Sequence, residues 1–351
     1  MVELKNNRLL FSFPETHSGA ALEILFGRTL RVPEDGKVYP LPPSLGDTQL
    51  EHIDDFAEKA PRLWLKRGGV LLPLHATETF KLEFRPVDTP QDKVPYSFLV
   101  LIGAGKINAL TGRGLERRPN FEYQNYISVN KWMDLHGFCS SLGIVKQFSA
   151  MPYGIGTTAE EQLTNNNENG GMQLVVFPMT TDAYKNKVIQ YRIIEEKRKK
   201  LHDSRVRFSL CGVTSIKMGV APGGLLSQMV KKDSNAPSDW DLGISSRCFA
   251  HILNARAWEK ITGQKPHAKP PGKKAYKQFG LPWIDAFGDD TDEVEILAGS
   301  TIIRKLKSVL GFAKGDIEEQ QHLGTAHTPE GGAVLSNVAR RRQVREGDDA
   351  S

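Results

Sequence analysis

The stretch GIVKQFSAMPYGIGTTAEEQLTNNNENGGMQLVVFPM, residues 143–179, decides the reading of the fold. Residues 144–151 are rich in β-formers, and residues 172–177 are a second apolar run of strand length. Between them Thr158 stands three positions before Glu161, the spacing of a capping box, in which a Thr oxygen takes a free helix amide and the Glu side chain reaches back. The unit reads as strand, glycine-punctuated loop, short helix, polar Asn/Gly turn, strand. Gly154 and Gly156 lead directly onto the helix start, where unpaired amides and the helix dipole favour an anion. Tyr153, Gly154, Gly156, Thr157 and Thr158 are therefore the loop's candidate ligand-binding residues, with Arg28, Arg31, Lys106 and Arg247 as cations that could converge on them.

Outward from this unit the same pattern continues. Residues 9–13 and 21–32 read as strands, with Gly27 marking a bulge. Pro40, Pro42 and Pro43 keep the next connector extended. Residues 50–60 read as a short helix ended by Pro61, and 67–69 as a turn. Residues 70–84 read as strand, with Phe80, Leu82 and Phe84 on one face and Lys81 and Glu83 on the other. An apolar run at 96–102 and a β-like piece at 106–110 flank Gly103–Gly105, which gives a hairpin. A phosphate loop is excluded there, because Val100 and Ile107 stand where a Walker A motif needs Gly and Ser/Thr. Residues 129–138 read as a short helix and 182–202 as a charged one. Residues 205–220 read as β, 221–224 as a turn, and 248–253 as a strand, after which Asn254 caps a helix over 255–262 that stops at Gly263. Residues 264–277 form a Pro/Lys linker, 281–287 pack back on the body, and 294–312 form one more helix.

Short strands, few long helices and frequent Gly/Pro turns predict an α+β, β-rich fold, a large sandwich or barrel-like body with short peripheral helices and a disordered C-terminal tail. The body spans 1–283, with a subdomain split near 125–140 left open; 284–314 is a helical extension and 315–351 the tail.

The 351 residues carry 39% hydrophobic and 25% charged side chains, the balance of a globular protein. A net charge of +5 is mild for this length and does not by itself call for nucleic acid. Cys139, Cys211 and Cys248 are too few and scattered for a disulfide framework, which suggests a reducing compartment. Pro14 interrupts the N-terminus before a secretory core is complete, and no run reaches the ~20 apolar residues of a membrane span. A soluble, cytoplasmic protein is expected.

Other constellations weigh less. Asp134, His136 and Cys139 lack the spacing of a metal site. His75, Thr77 and Thr79 share a strand face that Glu78 does not. Cys248 and His251, three apart on a strand, point to opposite faces and make no activated thiol. Glu160 and Glu161 point about 100° apart on a helix and read as dipole partners. Arg28 and Arg31 face opposite ways unless a bulge re-aims one. The runs 197–200, 273–277 and 340–345 are solvated charge without interleaved aromatics, so nucleic acid is not expected. Trp240, between Asp239 and Asp241, reads equally as a sugar or cation platform and as a loop anchor. No metal and no cofactor is expected.

The phrases RTLRVPEDGKVYPLPPSLG (28–46), RGGVLLPLHATE (67–78), IGAGKINALTG (102–112), AMPYGIGTTAEEQLT (150–164) and MGVAPGGLLSQ (218–228) together resemble an uncharacterised family of soluble microbial proteins. The resemblance covers most of residues 20–283. It implies one evolutionary unit and brings no activity with it.

Two functions fit. One is a non-catalytic binding or scaffold protein; the other is an enzyme or specific binder of a small anionic ligand at the 153–158 loop.

Overall fold

The computed structural model describes residues 1–87, 94–166, 168–198, 218–268, 276–277, 281, 301–309 and 343–347. Strands β1 (Val2–Lys5) and β2 (Arg8–Ser12) form a hairpin turning on Asn6 and Asn7. Both have positive φ, 52° and 59°, as a two-residue type I′ turn requires. Next come β3 (Ala21–Thr29), β4 (Val38–Tyr39), β5 (Ser44–Asp47), β6 (Glu51–His52), a 3-10 turn at Ile53–Phe56 and helix α1 (Arg62–Arg67). The chain continues through β7 (Val70–Pro73), β8 (Thr79–Pro86), β9 (Phe98–Ala104), β10 (Ile107–Asn108) and β11 (Tyr126–Val129). Strands β12 (Met133–Leu135), β13 (Gly137–Ser141) and β14 (Ile144–Pro152) lead to α2 (Ala159–Thr164). Last are β15 (Met172–Pro178), α3 (Thr181–Arg198), β16 (Met218–Ser227), β17 (Ser246–Leu253), α4 (Ala255–Thr262) and the one-turn α5 (Thr301–Arg304).

Among the described residues these strands make two sheets, and the fold is α+β and strand-rich. The ten-stranded sheet runs β1-β2-β3-β8-β14-β16-β4, with β5 beside β3, β12 beside β8 and β13 beside β14. The seven-stranded sheet runs β10-β9-β15-β17-β7-β6, with β11 beside β9. Neighbours are antiparallel except the pairs β4/β16 and β7/β17. The alternating residues Leu22, Ile24, Phe26 and Phe80, Leu82, Phe84 join Leu174, Val176, Ala250 and Ile252 of the other sheet in one buried cluster. Phe148 stacks on Phe80 at 5.4 Å and takes the edge of Phe138 at 4.9 Å, offset geometries that suit the ring quadrupoles. A second cluster, with Ile53, Trp64, Leu71, Trp258 and Ile261, seats α1 and α4 against the β7 side of the smaller sheet.

Both strands and the helix of the 143–179 unit form where expected, and the two strands fall in different sheets. The hairpin at Gly103–Gly105 and the Asn254-capped helix ending at Gly263 also form. Three expectations are corrected. Residues 50–60 hold β6 and a 3-10 turn, because Glu51 and His52 pair with β7. Residues 129–138 hold β12 and the start of β13, where pairing with β8 and β14 overrides local helix propensity. Residues 221–224 run inside β16, whose register shifts against β14 there. Their glycines let other backbone come close: a Cβ on Gly224 would overlap the Pro33 carbonyl. Lys81 and Glu83 face away from the main core as expected, yet both are buried, with Lys81 Nζ 2.5 Å from Glu83 Oε1 and 3.1 Å from Asp134 Oδ2.

The readings for 205–217 and 282–287 lie outside the described residues, as do 269–275 of the linker and most of the stretch beyond 315. Within that last stretch Gln343 bridges Glu3 and Glu346 bridges Gly68, and the Val344 side chain enters the main core. No described helix is long and apolar enough to cross a membrane.

Candidate functional site

At the 153–158 loop the amides of Gly154 and Thr158, expected to receive an outside anion, are taken by the chain itself. Glu161 accepts from Gly154 N at 2.5 Å with one oxygen, and from Thr158 N at 3.1 Å and Thr158 Oγ1 at 2.7 Å with the other. Thr158 Oγ1 in turn accepts from Glu161 N at 3.3 Å, which completes the capping box. Gln162 Nε2 closes on the Thr157 carbonyl at 2.7 Å. Gly154 and Gly156 have φ of 91° and 74°, a region that L side chains rarely adopt, so these positions need glycine to make the turn. Tyr153 points elsewhere, donating its hydroxyl to Glu160.

The four cations are not brought to this loop. Arg28 is buried and donates Nε to Glu78, whose second oxygen accepts His75 N at 2.7 Å. Arg31 holds Glu34 Oε1 from Nε at 3.2 Å and Nη2 at 2.6 Å. Arg28 lines a separate small cavity of about 80 Å³ with Asp47, His75 and Glu78. Lys106 and Arg247, 141 positions apart in the sequence, do reach one cleft. They line a larger cleft of about 500 Å³ on the seven-stranded sheet, together with Arg67 and Arg117.

The cleft follows from the sheet. On β15 and β17, Gln173 pairs with Phe249 and Val175 with Arg247, and these residues share the face turned away from the core while Leu174 and Cys248 turn inward. They provide the floor. Lys106 comes from the β9–β10 turn, where Gly105 and Lys106 have φ of 59° and 66°, again the primed geometry of a tight hairpin. Gly105 is also required by space, because a Cβ there would overlap the Glu160 carboxylate.

Arg67, at the end of α1, is held on several sides. Its guanidinium lies over the Phe249 ring, 5.3 Å from the centroid, and donates to Asn169 Oδ1 at 2.7 Å and to the Asn169 carbonyl at 2.9 Å. Asn169 is fixed from behind, since its Nδ2 donates to Glu160 Oε1 at 2.5 Å. Glu160 Oε2 receives Gly170 N at 3.0 Å and the Tyr153 hydroxyl. The central helix therefore serves the cleft through Glu160, a buried carboxylate with several donors. Burial and the adjacent Glu160 charge push the Tyr153 phenol far above its ordinary range, so it stays a donor.

Against the cations stand Glu116 and Glu346. Glu116 accepts from Asn125 Nδ2 at 3.0 Å and from the Tyr123 hydroxyl, and Glu346 from the Ser246 hydroxyl. Arg247 Nη2 donates to the Gly347 carbonyl at 2.5 Å. Cys248 also borders the cleft, but burial pushes its thiol far up, so it remains protonated and unreactive. His251 is stacked between Trp64 at 4.8 Å and Phe249 at 4.5 Å, and burial holds its imidazole down at about 3.

The remaining constellations have structural partners. His136 Nε2 lies 3.2 Å from Asp134 Oδ2, in the group that neutralises Lys81, and burial raises the Cys139 thiol to about 12. Thr77 leaves the strand face expected for it, with φ of 62° in the turn before β8. Trp240 is buried and donates Nε1 to Asp233 Oδ2 at 3.2 Å, which makes it a loop anchor. Of the basic runs, the described Arg345 forks Asp54 at 2.7 Å and 3.1 Å. No group of three or more His, Cys, Asp or Glu suited to a metal occurs among the described residues.

Sequence reasoning missed Arg67, Arg117, Asn169 and Phe249. In sequence Arg67 reads only as part of a turn, although its two following glycines signal a close backbone approach. Comparison with known protein families, curated proteins and solved structures finds no match.

Proposed function

We propose that the protein binds a small anionic ligand, one bearing phosphate or carboxylate groups, in the cleft between Arg67, Lys106, Arg117 and Arg247. The observation that carries this reading is the convergence of four cationic side chains on a cleft of about 500 Å³ that also holds two carboxylates. That volume is within the range of small-molecule sites. Arg67 supports the reading further. Its guanidinium is held by Asn169 and Phe249 before any ligand arrives, which lowers the ordering cost of binding. Planar, forked donors suit phosphate and carboxylate oxygens. Burial keeps the thiol of Cys248, at the edge of the cleft, protonated.

The test is a thermal-shift and calorimetric titration with tripolyphosphate and citrate. Either probe is expected to raise the melting temperature of the wild type and to lose most of that effect in Arg247→Ala and Lys106→Ala. Equal shifts in all three proteins would remove the cleft as the site. Conversion of a bound probe, followed by NMR, would replace binding with catalysis.

A further inference from the structure

We propose that the segment Gln343–Gly347 is an intramolecular ligand of this cleft, and that the cleft's partner in trans is an extended peptide segment of the form Val-x-Glu-Gly. The inference rests on the cleft being the binding site. It adds what the site recognises and how it is regulated.

The backbone contacts are those of strand addition. Glu346 makes an antiparallel bridge with Gly68, Gly69 N donates to the Arg345 carbonyl at 3.0 Å, and Gly347 N donates to the Arg67 carbonyl at 3.1 Å. One step earlier Val344 N donates to the Val2 carbonyl at 2.9 Å, beside the bridge between Gln343 and Glu3. Main-chain bonds of this kind supply affinity, and side-chain pockets supply specificity. Here the pockets are filled in turn. Val344 is buried, Arg345 forks Asp54, Glu346 meets the Ser246 hydroxyl at the cleft wall, and the Gly347 carbonyl takes the Arg247 guanidinium.

The approach is closed to larger residues from both sides. A Cβ on Gly68 would overlap the Arg345 carbonyl, and a Cβ on Gly347 would overlap the Arg67 backbone. Glycine is thus needed on the receptor and on the segment alike. The segment also places the Gly347 carbonyl against the Arg247 guanidinium and the Glu346 carboxylate on the cleft wall. Residues 310–342 separate it in sequence from the end of the body. A tethered ligand acts at an effective concentration on the order of millimolar, so a competing peptide binds wild type weakly until the segment is displaced.

The full chain is titrated with a fluorescein-labelled peptide, Gln-Val-Arg-Glu-Gly, and separately with tripolyphosphate. The peptide is expected to bind Gly347→Val at least tenfold more tightly than wild type, and adding Arg247→Ala should abolish the gain. If Gly347→Val lowers the melting temperature too far for titration, Glu346→Arg gives the same readout. That change keeps the backbone and sets a cation against the cleft's own. Equal peptide affinity in wild type and variants, or no peptide binding to any, overturns the inference. Tripolyphosphate separates the two readings. If its binding depends on Arg247 while the peptide does not bind, the cleft survives as an anion site and the peptide partner falls. If neither probe binds, both fall.

Discussion

Arg67 and Asn169 are joined twice, from Nη1 to the carbonyl at 2.9 Å and from Nη2 to Oδ1 at 2.7 Å, although 101 residues lie between them. The pair ties the end of α1 to the Asn/Gly turn before β15. Through Asn169 Nδ2 it also reaches Glu160 on α2. One of the cleft's cations is thus positioned through a helix that does not itself line the cleft.

Asn169→Leu removes the donor to a buried carboxylate and the acceptor of a buried guanidinium together. Hydrogen bonds to charged groups contribute about 1.5–3 kcal/mol each, so a loss of about 3 kcal/mol is expected in urea unfolding. Anion binding in the cleft should weaken in the same variant. A change below about 0.5 kcal/mol would mean that Glu160 and Arg67 find other partners.

Lys81→Met removes the cation shared by the buried Glu83 and the half-buried Asp134, leaving Glu83 to Arg85 and Asp134 to His136. Breaking one partner of a buried charge group costs about 3–5 kcal/mol, whereas replacing the whole group by apolar residues can be neutral. Lys81→Met combined with Glu83→Leu and Asp134→Leu is therefore expected to recover part of the loss. If the triple variant is less stable than the single one in denaturant titration, this account of the group is wrong.

His251 gives a pH dependence. Burial is the main cause of its fall to about 3, opposed by the bond to the Gly68 carbonyl and aided by the Arg67 charge. The unfolded imidazole protonates near 6.5. Between about 6.5 and 3 the unfolded chain binds a proton that the native chain does not, so His251 lowers stability as pH falls through this window and has no such effect above it. The drop in urea midpoint from pH 7.5 to pH 4.5 should be smaller in His251→Phe than in wild type. Equal drops would assign the acid sensitivity to other groups.

Asn254 caps α4, its side chain accepting Ala257 N at 2.8 Å. Asn254→Ala should cost about 1 kcal/mol, and Asn254→Ser much less. Thermal unfolding with matched controls reads the difference; equal losses for both substitutions would mean that the hydrogen bond to Ala257 is not what the position supplies.

Local signals in the chain determined the elements that depend on neighbours in sequence. The strands of the 143–179 unit, the Thr158–Glu161 capping box, the Asn254 cap with its Gly263 stop and the Gly105 hairpin follow from alternation, cap chemistry and turn geometry, whose physics acts over a few residues. Tertiary structure alone decided where pairing outweighed propensity, as in β12 and β13, and where a polar face became interior, as at Lys81. It also decided the site. Glu161 could be read as a cap, but its filling of the loop's amides depends on the fold of the turn at Gly154. Lys106 and Arg247 read in sequence as cations that could converge on the 153–158 loop, and they reach a different cleft. Their meeting with Arg67, Asn169 and Glu346 depends on β9, β15 and β17 being neighbours, and strand order is a product of long-range hydrogen bonding and shared burial that no local pattern encodes.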